Sequence, residues 1–426
     1  MMKMHKPVIL YTTPILQYPP VGGPTLRVEN SIKALAQISD LHICSRVSLD
    51  QMGGVQGVSF YRRYSKEFHF VPFITPSVDK STDFAKRLTN FCSRRLLRRN
   101  ILRQNMRLPK EDYHNLLHVA DSISADVIWL GYGNISYDLL KFIKRHSRYK
   151  VVLDSDSVWS RYILRGVPFA QSPEEKAKIL KQGTEKEKEE IWGTQIADVT
   201  TAVSKVDAEY YLKLARIPEQ VRLFANVIDL NNYCHVPDIP NDFKKPCIYL
   251  AGSFWKGSPM EDAARWLITR VIPRITKDLP NVHLYIVGSG SDTVLSDFAD
   301  ANVSVVGRLD SVLPYLCNVD VALVPLRYES GTRFKILEAG ACDIPVVSTR
   351  LGAEGLNVVH GRDILIADAP EDFAQSTINL ITNKDYAKTL GANLNRIVSE
   401  QYSISVLAEQ GKTILDYLLA RPIPNS

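Results

Sequence analysis

Long apolar segments are absent from the 426-residue sequence. No run of about 18 uncharged apolar residues occurs, so no membrane-spanning helix is predicted. The apolar run near the start, Val8 to Leu10, is too short for the hydrophobic region of a secretory signal peptide. The six cysteines are scattered, without a CxxC pair or a cysteine–histidine cluster at zinc spacing. The scattered cysteines predict a protein of the reducing cytoplasm without a structural metal, and we expect no cofactor.

An excess of one charge sign is also nearly lacking, since 52 basic and 46 acidic residues leave a net charge of +6. So small a surplus argues only weakly for a nucleic-acid partner, and we expect none. With 45% hydrophobic and 23% charged residues, the composition is that of a globular protein with a sizeable core. The length fits two domains of roughly 200 residues each, and hence a cleft between them.

Short β-branched runs alternate with amphipathic stretches of helical length in both halves of the chain. This alternation is typical of an α/β fold with a doubly wound parallel sheet. The first half contains the predicted strands Val8 to Tyr11, His42 to Arg46, Asp126 to Leu130, Val151 to Leu153, Val199 to Val203 and Val221 to Phe224. The second half contains Ile248 to Ala251, His283 to Val287, Val303 to Val306, Val321 to Pro325, Ile344 to Ser348 and Ile364 to Ile366.

Helical spacing of apolar residues predicts a crossover helix from Met260 to Lys277 and two closing helices, near Tyr386 to Glu400 and Ser405 to Ala420. A capping-box spacing at Ser172, followed by proline, predicts a helix that runs to about Gln195.

The stretch from Asp229 to Pro246 holds three prolines and little periodicity, so we interpret it as the linker between domains. We therefore predict a first domain at 1–232, a second domain at 233–403 and a last helix at 404–426.

One segment of the second half, Asp320 to Glu338, is predicted to form a buried strand, a turn and a helix that begins at Gly331. Ligands of open parallel sheets bind beyond the carboxyl ends of the strands. Free amides at a helix start favour a phosphate there, and a glycine lets the phosphate approach the backbone. The turn residues Ser330, Gly331 and Thr332 are therefore candidate donor-binding residues.

On a helix counted from Gly331, Lys335 and Glu338 share the face of the glycine, and Arg333 points to the far side. Lys335 would then supply a cation for a diphosphate, and Glu338 would accept hydrogen bonds from ribose hydroxyls. The alternative is that Lys335 and Glu338 form an ordinary ion pair on a solvated helix face.

These residues carry a family resemblance. The run VPLRYESGTRFKILEA at 324–339, with IPVVST at 344–349 and GAEG at 352–355, resembles the donor site of retaining glycosyltransferases of family 4. The resemblance is dense over 247–400 and looser before that. It implies the GT-B fold: two Rossmann-like doubly wound domains facing a cleft, with the C-terminal helix crossing back to the first domain.

The sequence departs from the E-x7-E pattern of many family members, because Ser330 lies eight residues before Glu338 and Glu329 is one residue out of register. In E-x7-E members the first glutamate faces the donor sugar. The chain is similar instead to the branch with the pattern PLRxxSGTRxK, in which Ser330 is left as a partner for a sugar hydroxyl.

Loops at other strand ends supply further candidates. Gly252 and Lys256 follow the first strand of the second half, and Lys256 is either a phosphate contact or a solvated lysine. The resemblance implies that the backbone around Gly307 and Arg308 pairs with the edge of the nucleotide base. The pair Gly288 and Gly290 lacks the spacing of a dinucleotide fingerprint and is interpreted as a turn.

In the first half, Gly22 and Gly23 follow the first strand, so they either line the cleft opposite the donor or form a plain tight turn. The resemblance implies a loop close to phosphate and acceptor. Asp156 occupies the position where related enzymes often carry a histidine, so it is a candidate to orient the acceptor hydroxyl or take its proton. Asp154 and Asp156 together would suggest a metal site only if the strand continued through both, and no third ligand is evident.

A basic stretch, Lys86 to Lys110, contains nine lysines and arginines and no acid. Three interpretations remain open: a solvated helix packed on the first domain, a patch that binds an anionic membrane surface, and a nucleic-acid patch. The membrane interpretation places the protein on the inner face of the plasma membrane and fits a lipid-carried acceptor.

The predicted function is transfer of a sugar from a nucleoside-diphosphate donor to a hydroxyl of a glycan or lipid-linked glycan, in polysaccharide or lipopolysaccharide synthesis. The resemblance implies retention of configuration. Two alternatives stay open: a nucleotide-sugar epimerase of similar fold, which needs no acceptor, and a non-catalytic scaffold subunit that binds the nucleotide without turnover.

Overall fold

The computed structural model describes residues 6–71, 110–235 and 237–420. Two parallel sheets form its centre, of seven and six strands. The first contains β1 Val8–Thr13, β2 Asp40–Ser45, β3 Phe68–Phe70, β4 Val127–Leu130, β5 Lys150–Leu153, β6 Val199–Ala202 and β7 Val221–Leu223. The second contains β8 Cys247–Ala251, β9 His283–Val287, β10 Val303–Gly307, β11 Val321–Val324, β12 Val346–Ser348 and β13 Leu365–Ile366. The basic stretch lies outside the described residues except for Lys110, with which a helix begins.

Both sheets reverse their strand order once, as doubly wound sheets do. The first has the order β3-β2-β1-β4-β5-β6-β7 and the second β10-β9-β8-β11-β12-β13. All strand pairs in them are parallel, so the carboxyl ends of the strands meet at one edge of each sheet. The predicted α/β architecture with two Rossmann-like sheets is confirmed.

The helices pack on the faces of these sheets and bury apolar residues there. They are α1 Gly23–Ile38, α2 Gly54–Arg62, α3 Lys110–Ser122, α4 Tyr137–His146, α5 Trp159–Leu164, α6 Pro173–Ile196, α7 Lys205–Leu212, α8 Pro259–Trp266, α9 Ile272–Asp278, α10 Ser291–Val294, α11 Leu313–Leu316, α12 Phe334–Ala341, α13 Pro370–Thr382, α14 Lys384–Gln401 and α15 Ile404–Leu419. Within the described residues no helix is both long and apolar enough to cross a membrane.

The start of α6 is as predicted, because the Ser172 hydroxyl accepts a hydrogen bond from the Glu175 amide at 3.1 Å. The predicted crossover helix is interrupted: α8 and α9 are joined by a π-helical turn at Leu267–Val271, next to Pro273. Proline has no amide hydrogen and distorts the regular ladder, which accounts for the turn.

The last helix, α15, packs against α1 of the first domain. A Cβ placed at Gly411 would meet Ile38 at 3.0 Å and Leu35 at 3.3 Å, so the two helices approach closely at this glycine. The side-chain oxygen of Gln410 accepts a hydrogen bond from the Ala225 amide at 2.8 Å. The chain thus returns to the first sheet after completing the second.

Candidate functional site

The turn after β11 forms one of the contacts between the two domains. Ser330 is 7% exposed, and its hydroxyl donates a 2.9 Å hydrogen bond to the carbonyl of Val158 in the first domain. Gly331 has φ +79°, and a Cβ there would lie 3.0 Å from the Cβ of Ser157. Glycine is therefore required here both by the left-handed backbone and by the approach of the other domain. The sequence predicts a different reason for this glycine, namely that it lets a phosphate approach the backbone.

The prediction that the helix begins at Gly331 is wrong, because α12 begins at Phe334. Arg333 precedes it with φ −100° and ψ 106°, an extended conformation that cannot belong to the helix. Nor does Arg333 point away from the site. Its side chain is 5% exposed and donates from Nη1 to the carbonyls of Ser330 and Gly331, both at 2.6 Å. Arg333 therefore supports the turn from inside, although its Nε and Nη2 have no hydrogen-bond partner among the residues that the structure describes.

Lys335 and Glu338 remain on one face of α12, since they are three residues apart within the helix. The ion pair offered as an alternative is not formed: within the described residues Lys335 pairs with no carboxylate. Glu338 accepts a 3.0 Å hydrogen bond from the Tyr233 hydroxyl instead. Burial lowers the pKa of Lys335 and raises that of Glu338, and each residue's charge opposes the shift of the other. In the described part of the chain, this face therefore presents a lysine without an ion-pair partner and a carboxylate with one oxygen that accepts no hydrogen bond.

The loops after β8 and β9 interlock beside this helix. A Cβ at Gly288 would lie 1.8 Å from the carbonyl oxygen of Gly252, so no other residue fits at Gly288. The Phe254 amide donates to the carbonyl of Ser289 at 2.8 Å. Lys256 is exposed at the tip of its loop. Gly288 thus serves as the predicted turn, and Lys256 is free to reach a ligand.

Gly307 ends β10 with φ +81°, and both of its backbone groups already have partners. Its amide donates to the Ser291 hydroxyl at 3.1 Å, and its carbonyl accepts from the Gly288 amide at 2.7 Å. The Arg308 side chain is exposed. A base contact through this backbone would therefore have to use the residues beside Gly307.

The glycine loop of the first domain faces the second domain across the cleft. A Cβ at Gly22 would lie 3.9 Å from the Ser253 hydroxyl, and one at Gly23 would lie 3.1 Å from the ring of Phe334. The structure thus brings Gly22 and Gly23 to the first turn of α12 and to the β8 loop.

Asp154 and Asp156 do not converge. Asp154 is 1% exposed and is held by the Arg27 guanidinium at 2.5 Å, the Trp129 indole at 3.1 Å and the Thr201 hydroxyl at 2.8 Å. The carboxylate of Asp154 therefore has its ion-pair and hydrogen-bond partners within the first domain. The Asp156 carboxylate is mostly buried and accepts a 3.0 Å hydrogen bond from the Trp159 indole.

Burial raises the pKa of Asp156 to about 7, although Arg27 and the Trp159 hydrogen bond act against the shift. A carboxyl with such a pKa exchanges a proton near neutral pH, as a general base must. Ser157, the next residue, is the one that fills the space beside Gly331. Asp156 therefore lies at the contact between the domains.

Replacement of Asp156 by asparagine is expected to stabilise the protein, and increasingly so as the pH rises. Because the pKa of the folded carboxyl is raised, the folded state holds a proton that the unfolded chain releases. Stability is therefore lost between the two pKa values as pH rises, and asparagine escapes this loss. Melting temperatures at about pH 5 and about pH 8 measure the effect. An advantage that is equal at both values, or equal to that of exposed Asp297→Asn, would contradict the raised pKa.

A cleft of about 550 Å³ opens beside the turn and is lined by residues of both domains. Arg165, the residue after α5, links the two domains. It donates to the Glu329 carbonyl at 2.6 Å and forms a bidentate pair with Glu354 at 2.8 Å. Arg161 and Arg327 also line this cleft. Sequence reasoning missed Arg165, because its partners lie more than 160 positions away and no local pattern marks the pair.

Residues 245–383, about a third of the chain, match the family model described as glycosyl transferases group 1. The predicted resemblance to glycosyltransferases is confirmed at the level of group 1 over this segment, which contains β11, the turn and α12. A protein of Klebsiella pneumoniae described as an uncharacterised 44.6 kDa protein in the cps region is 24% identical over 146 residues. An uncharacterised glycosyltransferase of Methanocaldococcus jannaschii is 33% identical over 97 residues. The matches cover 32% and 22% of this chain, and they span only 38% and 27% of these relatives.

Solved structures resemble the whole fold. Anabaena HepE in complex with UDP and glucose has a TM-score of 0.64 at 13% identity, covering 97% of this chain and all of that one. Sucrose-phosphate synthase of Thermosynechococcus elongatus has a TM-score of 0.68 at 16% identity, with the same coverage. At such identities the likeness is one of fold, and the predicted GT-B fold is confirmed.

Proposed function

We propose that the protein is a hexosyltransferase that moves a sugar from a nucleoside-diphosphate donor to a hydroxyl group, with retention of configuration. The observation that carries the proposal is the face of α12. Among the described residues Lys335 has no ion-pair partner and one oxygen of Glu338 accepts no hydrogen bond. Both lie at the carboxyl edge of a parallel sheet and inside the family-matched segment. Anabaena HepE, which shares the fold, binds UDP and glucose.

In the proposed complex the diphosphate lies at the first turn of α12, where free amides and the helix dipole favour an anion. Lys335 neutralises the charge that develops on the departing diphosphate, and Lys256 reaches it from the exposed loop. Glu338 accepts hydrogen bonds from the ribose, while Ser330, Gly331 and Thr332 shape the sugar side. The transfer needs no metal and no cofactor in this scheme, because side chains supply the positive charge.

The acceptor approaches from the first domain, over Gly22, Gly23 and Asp156. Asp156 orients the acceptor hydroxyl or takes its proton, which its raised pKa of about 7 supports. The cleft of about 550 Å³ beside the turn offers room for a glycan chain. A glycan or lipid-linked glycan acceptor of cell-surface polysaccharide or lipopolysaccharide synthesis, reached at an anionic membrane surface through the basic stretch, belongs to the same proposal.

The first experiment is thermal stabilisation by UDP, GDP, ADP and their sugars. At least one nucleotide is expected to stabilise the native chain. Glu338→Ala is expected to weaken its binding about 10- to 100-fold, since a hydrogen bond to a charged group contributes about 1.5–3 kcal/mol. Glu338→Gln keeps an acceptor for Tyr233, which separates ligand loss from loss of that contact. Glu400→Ala, at an exposed pair with Arg396, is the control.

The donor-site assignment fails if no nucleotide stabilises the native chain or if Glu338→Ala binds as tightly as it does. Product analysis then separates the rival functions. An epimerase would convert the donor when incubated alone, and a scaffold subunit would bind the nucleotide without turnover on any acceptor.

A further inference from the structure

Two histidines and a glutamate meet at the edge of the first sheet. Strands β2 and β3 pair with Ile43 opposite Phe68 and Cys44 opposite His69. This register places His42 opposite Glu67, the residue before β3. Because side chains alternate along a strand, Glu67 and His69 lie on the same face of the sheet as His42.

The geometry of the three groups is that of an open ligand set. The Glu67 carboxylate Oε2 lies 3.3 Å from His69 Nε2 and 3.8 Å from His42 Nδ1. The three ligand atoms all lie within 4.8 Å of one another. Both nitrogens are buried and, among the described residues, neither has a hydrogen-bond partner. Buried polar nitrogens normally have a hydrogen-bond partner. Two unpaired nitrogens beside one carboxylate therefore need an explanation.

We propose that His42, Glu67 and His69 bind a divalent transition metal of the zinc class. Imidazole nitrogens and a carboxylate oxygen are ligands that Zn²⁺ takes at about 2.0–2.2 Å. In a tetrahedral site such ligand atoms lie roughly 3.3 Å apart. The two distances from the Glu67 oxygen to the histidine nitrogens, 3.3 and 3.8 Å, are close to this value. The metal satisfies both orphan nitrogens and neutralises Glu67, and solvent supplies the fourth ligand because the Glu67 side chain is 60% exposed.

The site is structural and remote from transfer. His42 is near the amino end of β2 and Glu67 lies before β3, whereas the cleft is formed at the carboxyl ends of these strands. Among the described strands, β3 lies at the edge of the first sheet and has only three residues. A metal bound to His42, Glu67 and His69 holds β3 against β2. The inference is independent of the proposed function. The ligands come from two strands that are distant in the sequence, so no short sequence motif predicts the site.

The test is metal binding by the full chain without a polyhistidine tag. After chelation and removal of the chelator, the protein is expected to bind about one equivalent of Zn²⁺ by calorimetry and to retain it through gel filtration. Its melting temperature is expected to rise by about 5 °C at saturating Zn²⁺. Co²⁺ in the same site is expected to give a visible absorption spectrum of a four-coordinate ion.

Three ligand variants and two controls decide the outcome. His42→Gln, His69→Gln and Glu67→Gln are each expected to weaken Zn²⁺ binding by at least about tenfold. Because the Glu67 side chain is exposed, its replacement is expected to leave the fold intact. His146→Gln and Cys234→Ser, at exposed positions, are expected to bind as the native chain does. Absence of binding by the native chain overturns the proposal, as does equal binding by the three ligand variants.

Discussion

Replacement of Lys335 by methionine is expected to lower kcat about 10²- to 10³-fold, the usual loss when one preorganised electrostatic group is removed. Lys335 is half-buried and forms no ion pair with a carboxylate of the described residues, so in the proposed reaction its charge is available to the leaving diphosphate. In the proposed reaction such a charge, in a site with little water, stabilises the leaving group far more than it would in solution. Initial-rate kinetics with the donor identified by thermal stabilisation measure the effect.

The same variant without nucleotide is expected to be as stable as the native chain or more stable. Burial lowers the pKa of Lys335, which means that the folded protein holds this charge at a cost. A residue with a merely structural role would show the opposite result, namely loss of stability along with activity. Lys388→Met, at an exposed position of α14, is the matched control. A kcat within about threefold of the native value would contradict the role of Lys335.

The strands were predictable because their interiors are buried on both faces of parallel sheets, which leaves continuous β-branched runs in the sequence. β3 was missed, since it has only three residues and Phe70 is 40% exposed, so neither length nor burial marks it. The start of α12 was misplaced for a different reason. The left-handed Gly331 packs against Ser157 of the other domain, and the extended Arg333 is held by hydrogen bonds to two carbonyls of the turn. No local sequence pattern carries that information.

The residues of the candidate site also divide into those that local sequence predicts and those that tertiary contacts determine. Lys335 and Glu338 were predicted to share a face, and they do, because their spacing within one helix decides it. Arg333 was assigned to the far side by the same count, although it lies before the helix and turns inward to two carbonyls. Spacing rules hold inside an element and fail at its boundary, where tertiary contacts set the backbone.

Replacement of Arg27 by methionine is expected to destabilise the first domain by about 3–5 kcal/mol, the typical result of removing one partner of a buried ion pair. Arg27 is 3% exposed and its guanidinium binds Asp154 at 2.5 Å. The same group donates to Asn226 at 2.7 Å and to the Phe224 carbonyl at 3.1 Å. It therefore ties α1, which follows the glycine loop, to the ends of β5 and β7. Chemical denaturation followed by tryptophan fluorescence measures the loss.

Asp154→Asn and the double variant complete a thermodynamic cycle. Because each single change leaves the other group buried without its partner, the double variant is expected to lose less than the sum of the two. Arg274→Met, which removes an exposed pair with Glu371, is the control and is expected to change the free energy of unfolding by less than about 1 kcal/mol. Additive losses in the cycle, or a loss for Arg27→Met no larger than for the control, would show that the pair does not hold the loops of the first domain in place.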